Sequence, residues 1–369
     1  MRRGVLWLAA LLVLAAASAD AQALKTRNVV LLVSDGLRWQ EVFTGADPLL
    51  MNTEHGGIWD KEAELRKRFW RDEVTARRAA LMPFLWGTVA THGQVFGNQT
   101  RGSIARVTNG LAFSYPGYNE MLTGHPDARI NSNEYGPNPN VSVFEWLNGQ
   151  PEFRGRVAAY ATWAVFNDIF NVTRSHLPVH AGWETPYPGS TDPAHQLLNR
   201  LYATTIRFDE EDLYDAFMQV RLVQALPREQ PRVLFVGYGE TDDFAHAGRY
   251  DLVLRSAHAF DGFVKELWER LQAMPAYRDQ TTFILTCDHG RGSGPEEWKE
   301  HGVEQKGSEN VWIAVMGPDT PARGEHSGSP ELHQAQIAAT IAALLGKDRD
   351  YRRAVPEAAP PITAVVGNR

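Results

Sequence analysis

Adjacent acid and imidazole side chains, Asp288-His289, follow an apolar and β-branched run, TTFIL (281–285). A second such pair, Asp242 and His246, stands four residues apart just after VLFVGY (233–238), and Asp35 directly follows VVLLVS (29–34). His301 comes after the Asp288-His289 pair across a polar loop, RGSGPEEWKE. Carboxylate oxygens and neutral imidazoles are the ligand types that suit Zn²⁺ or Mn²⁺. Three of each exceed what one catalytic ion takes, because such an ion keeps about three protein ligands and an open position. The natural count is two divalent ions, Zn²⁺ foremost and Mn²⁺ as the alternative. Taken singly each motif is weak, since an Asp after a strand is a helix cap more often than a ligand. Their joint recurrence after apolar runs carries the reading. Asp243 competes with Asp242, although the four-residue spacing to His246 favours Asp242, and His326 and His333 compete with His301.

Such a pair of ions calls for a nucleophile. In AFSYPGYNEMLTG, Ser114 precedes a turn containing Pro116 and a short helix expected over Asn119–Leu122. A serine at a helix amino end lies among free N–H groups that attract an anion such as phosphate. A bound metal can lower the hydroxyl's pKa without a histidine base. Ser114 is therefore the candidate nucleophile, with a helix cap as the plain alternative. Arg38, Arg291 and Lys306 lie near these ligands in sequence and could bind phosphate oxygens by fork or point charge; solvated surface cations are the equal alternative. Trp163 could floor a pocket or simply pack in the core. Cys287, the only cysteine, reads as a small buried residue.

The elements that must position these groups are short continuous apolar runs. Val29–Ser34, Val157–Thr162, Val233–Tyr238, Thr282–Thr286 and Val311–Met316 read as strands covered on both faces. Helical patterns lie between them at Lys61–Trp86, Glu210–Ala225, Leu252–Ala273 and Leu332–Leu345. Alternating strands and helices predict a three-layer α/β/α sandwich around a mainly parallel sheet. Ligands of such sheets bind outside the carboxyl ends of the strands, which is where the Asp and His residues fall. Gly-, Asn- and Pro-rich stretches at about 95–155 and 165–200 are expected to form long loops or a small cap.

The chain has 369 residues and a formal net charge of −7. Its first residues, MRRGVLWLAALLVLAAASADAQ, combine a basic start, an apolar stretch and an Ala19-Asp20-Ala21 cleavage site. They predict a signal peptide over residues 1–21 and a single catalytic domain over 22–369, exported to a periplasm or secreted. No later stretch is long and apolar enough for a bilayer. One cysteine excludes an internal disulfide framework, and an acidic chain without a basic run gives no nucleic-acid surface. The expected partner is a small-molecule phosphate ester; nothing in the sequence bears on oligomeric state.

In order, Asp35, Ser114, Asp242-x-x-x-His246, Asp288-His289 and His301 resemble the motifs of the alkaline phosphatase superfamily, over essentially the whole mature chain. SYPGYNEMLTG is similar to the nucleophile segment of nucleotide pyrophosphatase/phosphodiesterases. The resemblance implies one metal on Asp242, His246 and His301, another on Asp35, Asp288 and His289, and Ser114 between them. His301 is preferred over its rivals because HG, a loop and VWIAVMGP resemble that family's closing segment. Where the phosphodiesterase branch has an Asn three residues after the nucleophile to hold phosphoryl oxygens, this chain has Gly117. Asn119, five residues on, is instead similar to the metal-dependent phosphoglycerate mutases, whose large inserted domain is too long for the stretch between Ser114 and Asp242. Sulfatases use C/S-x-P-x-R; Ser114-Tyr-Pro116 begins that way, but Tyr118 replaces the Arg. The implied activity is hydrolysis of phosphoric mono- or diesters through a phosphoserine. A phosphotransferase or mutase, and a binding protein on the same fold, are the alternatives.

Overall fold

The computed structural model describes residues 23–59 and 62–367, so the expected leader lies outside the described residues. In chain order the strands are β1 (Asn28–Ser34), β2 (Gln94–Phe96), β3 (Ala105–Arg106), β4 (Val157–Ala161) and β5 (Val179–Ala181). They continue with β6 (Val233–Tyr238), β7 (Thr281–Thr286), β8 (Ile313–Met316), β9 (Gly324–Glu325) and β10 (Leu332–His333). Eight strands form one sheet in the order β5-β4-β6-β1-β7-β8-β2-β9, and β3 pairs with β10 apart from it. Neighbours from β5 to β7 are parallel. β8 runs against both β7 and β2 and is the one reversal in the sheet.

Every residue of β1, β6 and β7 is buried, which explains why these strands read as unbroken apolar runs. Helices Ser114–Thr123, Val143–Gly149 and Gln336–Leu344 pack on one another, and helices Asp215–Glu229, Tyr250–Ala273 and Val74–Leu81 form a second packed set. Both sets reach the sheet, through β4 for Val143–Gly149 and through β4 and β1 for Asp215–Glu229 and Tyr250–Ala273. The architecture is therefore the layered α/β arrangement expected. Among the described residues no helix is long and apolar enough to cross a membrane.

Several boundaries differ from expectation for local reasons. The long pattern at Lys61–Trp86 breaks into Glu62–Phe69, Val74–Leu81 and a π-turn at Leu85–Val89. Asp261, from the Tyr250–Ala273 helix, accepts the Phe84 and Leu85 N–H groups at 2.7 and 2.8 Å and so starts that last turn. The Glu210–Ala225 pattern is a helix only over Asp215–Glu229. Leu332 and His333 form β10 rather than opening a helix, which starts at Gln336. The stretch around 95–155 is not irregular throughout, because it carries the fully buried Ser114–Thr123 helix.

Candidate metal centre

β1 lies between β6 and β7 in matched register, with Ser34 opposite Tyr238 and Val33 opposite Thr286. The residues that leave these three strands therefore meet at one edge. Asp35 N–H donates to the Tyr238 carbonyl at 2.8 Å, and Gly36 N–H donates to Asp288 Oδ1 at 3.1 Å. Gly36 has φ +58°, and a Cβ there would collide with the Asp242 carboxylate. Only glycine lets the chain turn this closely past a neighbouring ligand.

The structure gathers two groups of three: Asp242, His246 and His301, and Asp35, Asp288 and His289, each with its ligand atoms within 4.8 Å of one another. His246 Nε2 lies 3.2 Å from Asp242 Oδ2, and His301 Nε2 3.8 Å from Asp242 Oδ1. In the other group His289 Nε2 lies 3.3 Å from Asp35 Oδ1 and 3.4 Å from Asp288 Oδ2. The groups adjoin, since His289 Nε2 is also 3.9 Å from Asp242 Oδ1. His289 Nδ1–H donates to the Gly290 carbonyl at 2.8 Å, which turns Nε2 towards the carboxylates. Asp35 Oδ1, Asp288 Oδ2 and His301 Nδ1 are buried without a hydrogen-bond partner. Buried polar atoms are normally paired, so orphan oxygens converging beside imidazole nitrogens are the donor set that divalent cations require.

The six groups perturb one another strongly. Burial raises the Asp288 carboxyl well above its usual range, and the nearby Asp35 charge adds to this. Burial would likewise raise Asp242, but the Arg291 guanidinium together with His246 and His301 holds it well below. For His289, burial pulls down while the Asp288 and Asp35 charges outweigh it and lift the imidazole to about 9. His301 is pulled down to about 2 by burial and by its neighbour His289. Asp243, which shares the cavity but belongs to neither group, is pushed up to about 8 by burial and by Asp242.

Ser114 lies beside both groups, with Oγ 3.2 Å from His289 Nε2. It opens the helix instead of standing before it, because Pro116 falls in the first turn, where a missing N–H costs nothing. The helix is fixed from three sides. Gly117 packs against the Asp288 backbone, where a Cβ would stand 2.5 Å from the carbonyl oxygen. The Tyr118 hydroxyl donates to Asp35 Oδ2 at 2.8 Å. Buried Glu120 accepts the N–H groups of Thr108 and Asn109 at 2.8 to 2.9 Å, tying the helix to the preceding loop. In that loop Ala112 takes φ +50°, held by Asn109 Oδ1, which accepts the Leu111 and Ala112 N–H groups at 2.9 Å.

Other expected residues are placed elsewhere. Arg38 is buried in an ion pair with Glu41 and donates to the Gly292 carbonyl at 3.2 Å, so it does not face the centre. Lys306 is exposed and lines a separate hollow with Arg106 and Glu309. Asn119 is turned to the following loop, its Oδ1 accepting from Asn138 and Asn140 at 3.2 and 3.1 Å. Arg291 does reach the centre, but it pairs with Asp242 and donates to the Trp298 and Lys299 carbonyls at 3.0 and 2.5 Å. Its fork is thus spent on a ligand and on the loop. His326 stacks on Phe96 and His333 lies near Glu331, so neither joins a group.

A cavity of about 200 Å³ opens at Ser114 and at both ligand groups, and four further side chains line it: Asn133, Trp163, Asp212 and Asp243. Asn133 accepts the Tyr115 N–H at 3.0 Å. Sequence reading missed Asn133 and Asp212 because both come from irregular segments without an apolar run before them. For Asp212 the only signal is its place in an acidic stretch, DEED (209–212).

The family description "Metalloenzyme superfamily" matches residues 181–349. This stretch contains Asp242, His246, Asp288, His289 and His301. No curated protein shows significant sequence similarity to the chain. Solved structures share the fold at low identity. The alkaline phosphatase PafA is 11% identical with a TM-score of 0.57, covering 93% of this chain and 99% of that one. A phosphonate monoester hydrolase from Silicibacter pomeroyi is 12% identical with a TM-score of 0.53, covering 93% and 77%. A protein of Bacteroides thetaiotaomicron assigned as a sulfatase is 12% identical with a TM-score of 0.53, covering 87% and 71%. Divalent-metal binding follows from the metalloenzyme match together with the two ligand groups. The sheet, the order of the ligands and the metalloenzyme match over residues 181–349 agree with the resemblance to the alkaline phosphatase superfamily, whose fold the chain shares.

Proposed function

We propose that the protein is an exported hydrolase of phosphoric esters, working with two divalent ions and with Ser114 as nucleophile. The observation that carries this reading is the position of Ser114 Oγ, at a helix amino end and 3.2 Å from His289 Nε2, beside both ligand groups. Asp242, His246 and His301 would hold one ion and Asp35, Asp288 and His289 the other. Mixed oxygen and nitrogen donors suit zinc first and manganese second. When bound, the ions supply Lewis acidity that eases ionisation of the serine hydroxyl and offsets charge on the phosphoryl oxygens.

The chain's own residues do the rest. Ser114 Oγ forms its bond to phosphorus as the ester P–O bond breaks, and the alcohol departs with the hydroxyl proton. Water then cleaves the phosphoserine, returns a proton to Ser114 Oγ and releases phosphate, or a phosphomonoester when the substrate is a diester. Tyr118 and Arg291 keep the Asp35 and Asp242 carboxylates in place. Asn133 offers its amide donors to a non-bridging oxygen, its own Oδ1 being taken by Tyr115. The leader-like start supports export with removal of residues 1–21, leaving one catalytic domain over 22–369.

A sulfate ester is the second reading, favoured by the Ser114-Tyr-Pro116 opening. Tyr118 counts against it, because it stands at the position of the sulfatase-type arginine and is buried against Asp35. The deciding experiment combines metal analysis with a panel of phosphate monoesters, diesters, a phosphonate monoester and a sulfate ester. About two equivalents of metal and the highest kcat/KM on a phosphate ester are expected. Preference for the sulfate ester, or no turnover by the metal-replete protein, would overturn the reading. A phosphotransferase would reveal itself by transfer to an added alcohol in place of water.

A further inference from the structure

Beyond the ligands and Ser114, the wall of the central cavity is acidic and aromatic. Asp212 and Asp243 line it together with Trp163. Trp163 and Asp212 are brought side by side by a β-bridge between their backbones, and Leu213 N–H donates to the Thr162 carbonyl at 3.0 Å to extend it. The Trp163 indole Nε1–H donates to Glu211 Oε2 at 3.4 Å, and the side chain lines the cavity. Neither the Asp212 nor the Asp243 carboxylate has a hydrogen-bond or ion-pair partner among the described residues. Asp35, more than nine-tenths buried and with Oδ1 unpartnered, faces the same space.

This wall is ill suited to a plain phosphate ester. The three ligand carboxylates already draw on the charge of any bound ions, and the two further acids of the cavity give an arriving phosphoryl group no cationic partner. The arrangement becomes favourable when the substrate brings its own positive charge. A cation over an indole face and beside unpaired carboxylates gains from both. We propose that the site selects phosphate esters whose alcohol carries an alkylammonium group, such as choline or ethanolamine esters, with that group seated against Trp163, Asp212 and Asp243. The proposal rests on the phosphoesterase reading above and names its substrate class.

The experiment compares choline phosphate with its neutral carbon isostere, 3,3-dimethylbutyl phosphate, and the matching pair of p-nitrophenyl diesters. The cationic member of at least one pair should have a kcat/KM higher by about tenfold or more, carried mainly by KM. In Asp212→Asn and in Trp163→Leu this ratio should fall towards one, whereas Trp163→Phe should keep most of it. Metal content is measured on each variant alongside. Equal efficiencies for charged and neutral esters in the wild-type protein overturn the proposal while leaving the phosphoesterase reading intact, and need no variant to fold. Loss of a bound ion from Asp212→Asn also overturns it, by assigning that carboxylate to metal. Failure to hydrolyse any phosphate ester defeats the phosphoesterase reading and takes this inference with it.

Discussion

The Ser114 hydroxyl beside His289 and the His301 imidazole of the other ligand group should fail in different ways when each is cut back to a methyl group. Ser114→Ala removes only the attacking oxygen, since the ligand groups are built from other side chains. Its fold and metal content should match the wild type while kcat falls by about three orders of magnitude or more. Wild-type-like kinetics in the metal-replete variant would reduce Ser114 to a helix residue. His301→Ala should weaken the ion expected on Asp242 and His246 and spare the one on Asp35, Asp288 and His289. Metal titration decides this, and two ions at wild-type affinity would refute the assignment. The His289 imidazole adds a pH dependence. Lifted to about 9 by carboxylates that outweigh its burial, it holds a proton at neutral pH in the metal-free protein. Its folded value exceeds the unfolded one of about 6.5, so its contribution to metal-free stability is full at low pH and lost as pH rises through about 9. Metal binding must expel that proton. Affinity should therefore rise with pH towards about 9, and calorimetry in buffers of differing ionisation enthalpy should register proton release at pH 7.

At the scale of elements, Gly117 makes the nucleophile helix a neighbour of the β7 exit. Gly117→Ala places a Cβ about 2.5 Å from the Asp288 carbonyl oxygen. The helix must shift by several tenths of an ångström, and Ser114 with it. The expected result is a loss of kcat of about tenfold or more, because reacting groups tolerate little misplacement, with metal content retained. Unchanged turnover would show that the contact has slack. This helix also marks the limit of what the sequence makes legible. Asp35, Asp242, Asp288 and His289 could be found because each leaves a buried strand or its following turn, and strands read clearly as apolar runs. The helix around Ser114 reads in the sequence only as a short piece after Pro116, since proline reads as a breaker when the first turn cannot be told from the interior. Arg38 reads equally as a phosphate ligand or a surface cation, and the structure makes it neither, because the buried Glu41 that claims it lies three residues on and burial of such a pair leaves no mark on the local pattern. Asn133, Asp212 and the Tyr118 contact to Asp35 depend on how loops and helix faces come together, which only the folded chain displays.

At the scale of the whole molecule, the lone Cys287 has a consequence for how an exported chain would be held together. As the only cysteine it can form no internal disulfide, and burial raises its thiol well above the usual range. The two ligand groups offer another kind of cross-link. Gly36 and Asp288, already hydrogen-bonded, lie 252 positions apart, and an ion shared by Asp35, Asp288 and His289 would close that long ring. Each ion bound only by the folded form should add about 4 kcal/mol when its free concentration is about a thousand times its Kd. Chelation should therefore lower Tm and expose the chain to proteases, first in the connection from β7 to β8 that carries His301. An unchanged Tm and digestion pattern after complete removal of metal would show that the ions serve chemistry alone. If the shift is found, metal supply governs the lifetime of the folded molecule as well as its rate, a role that many proteins give to sulfur.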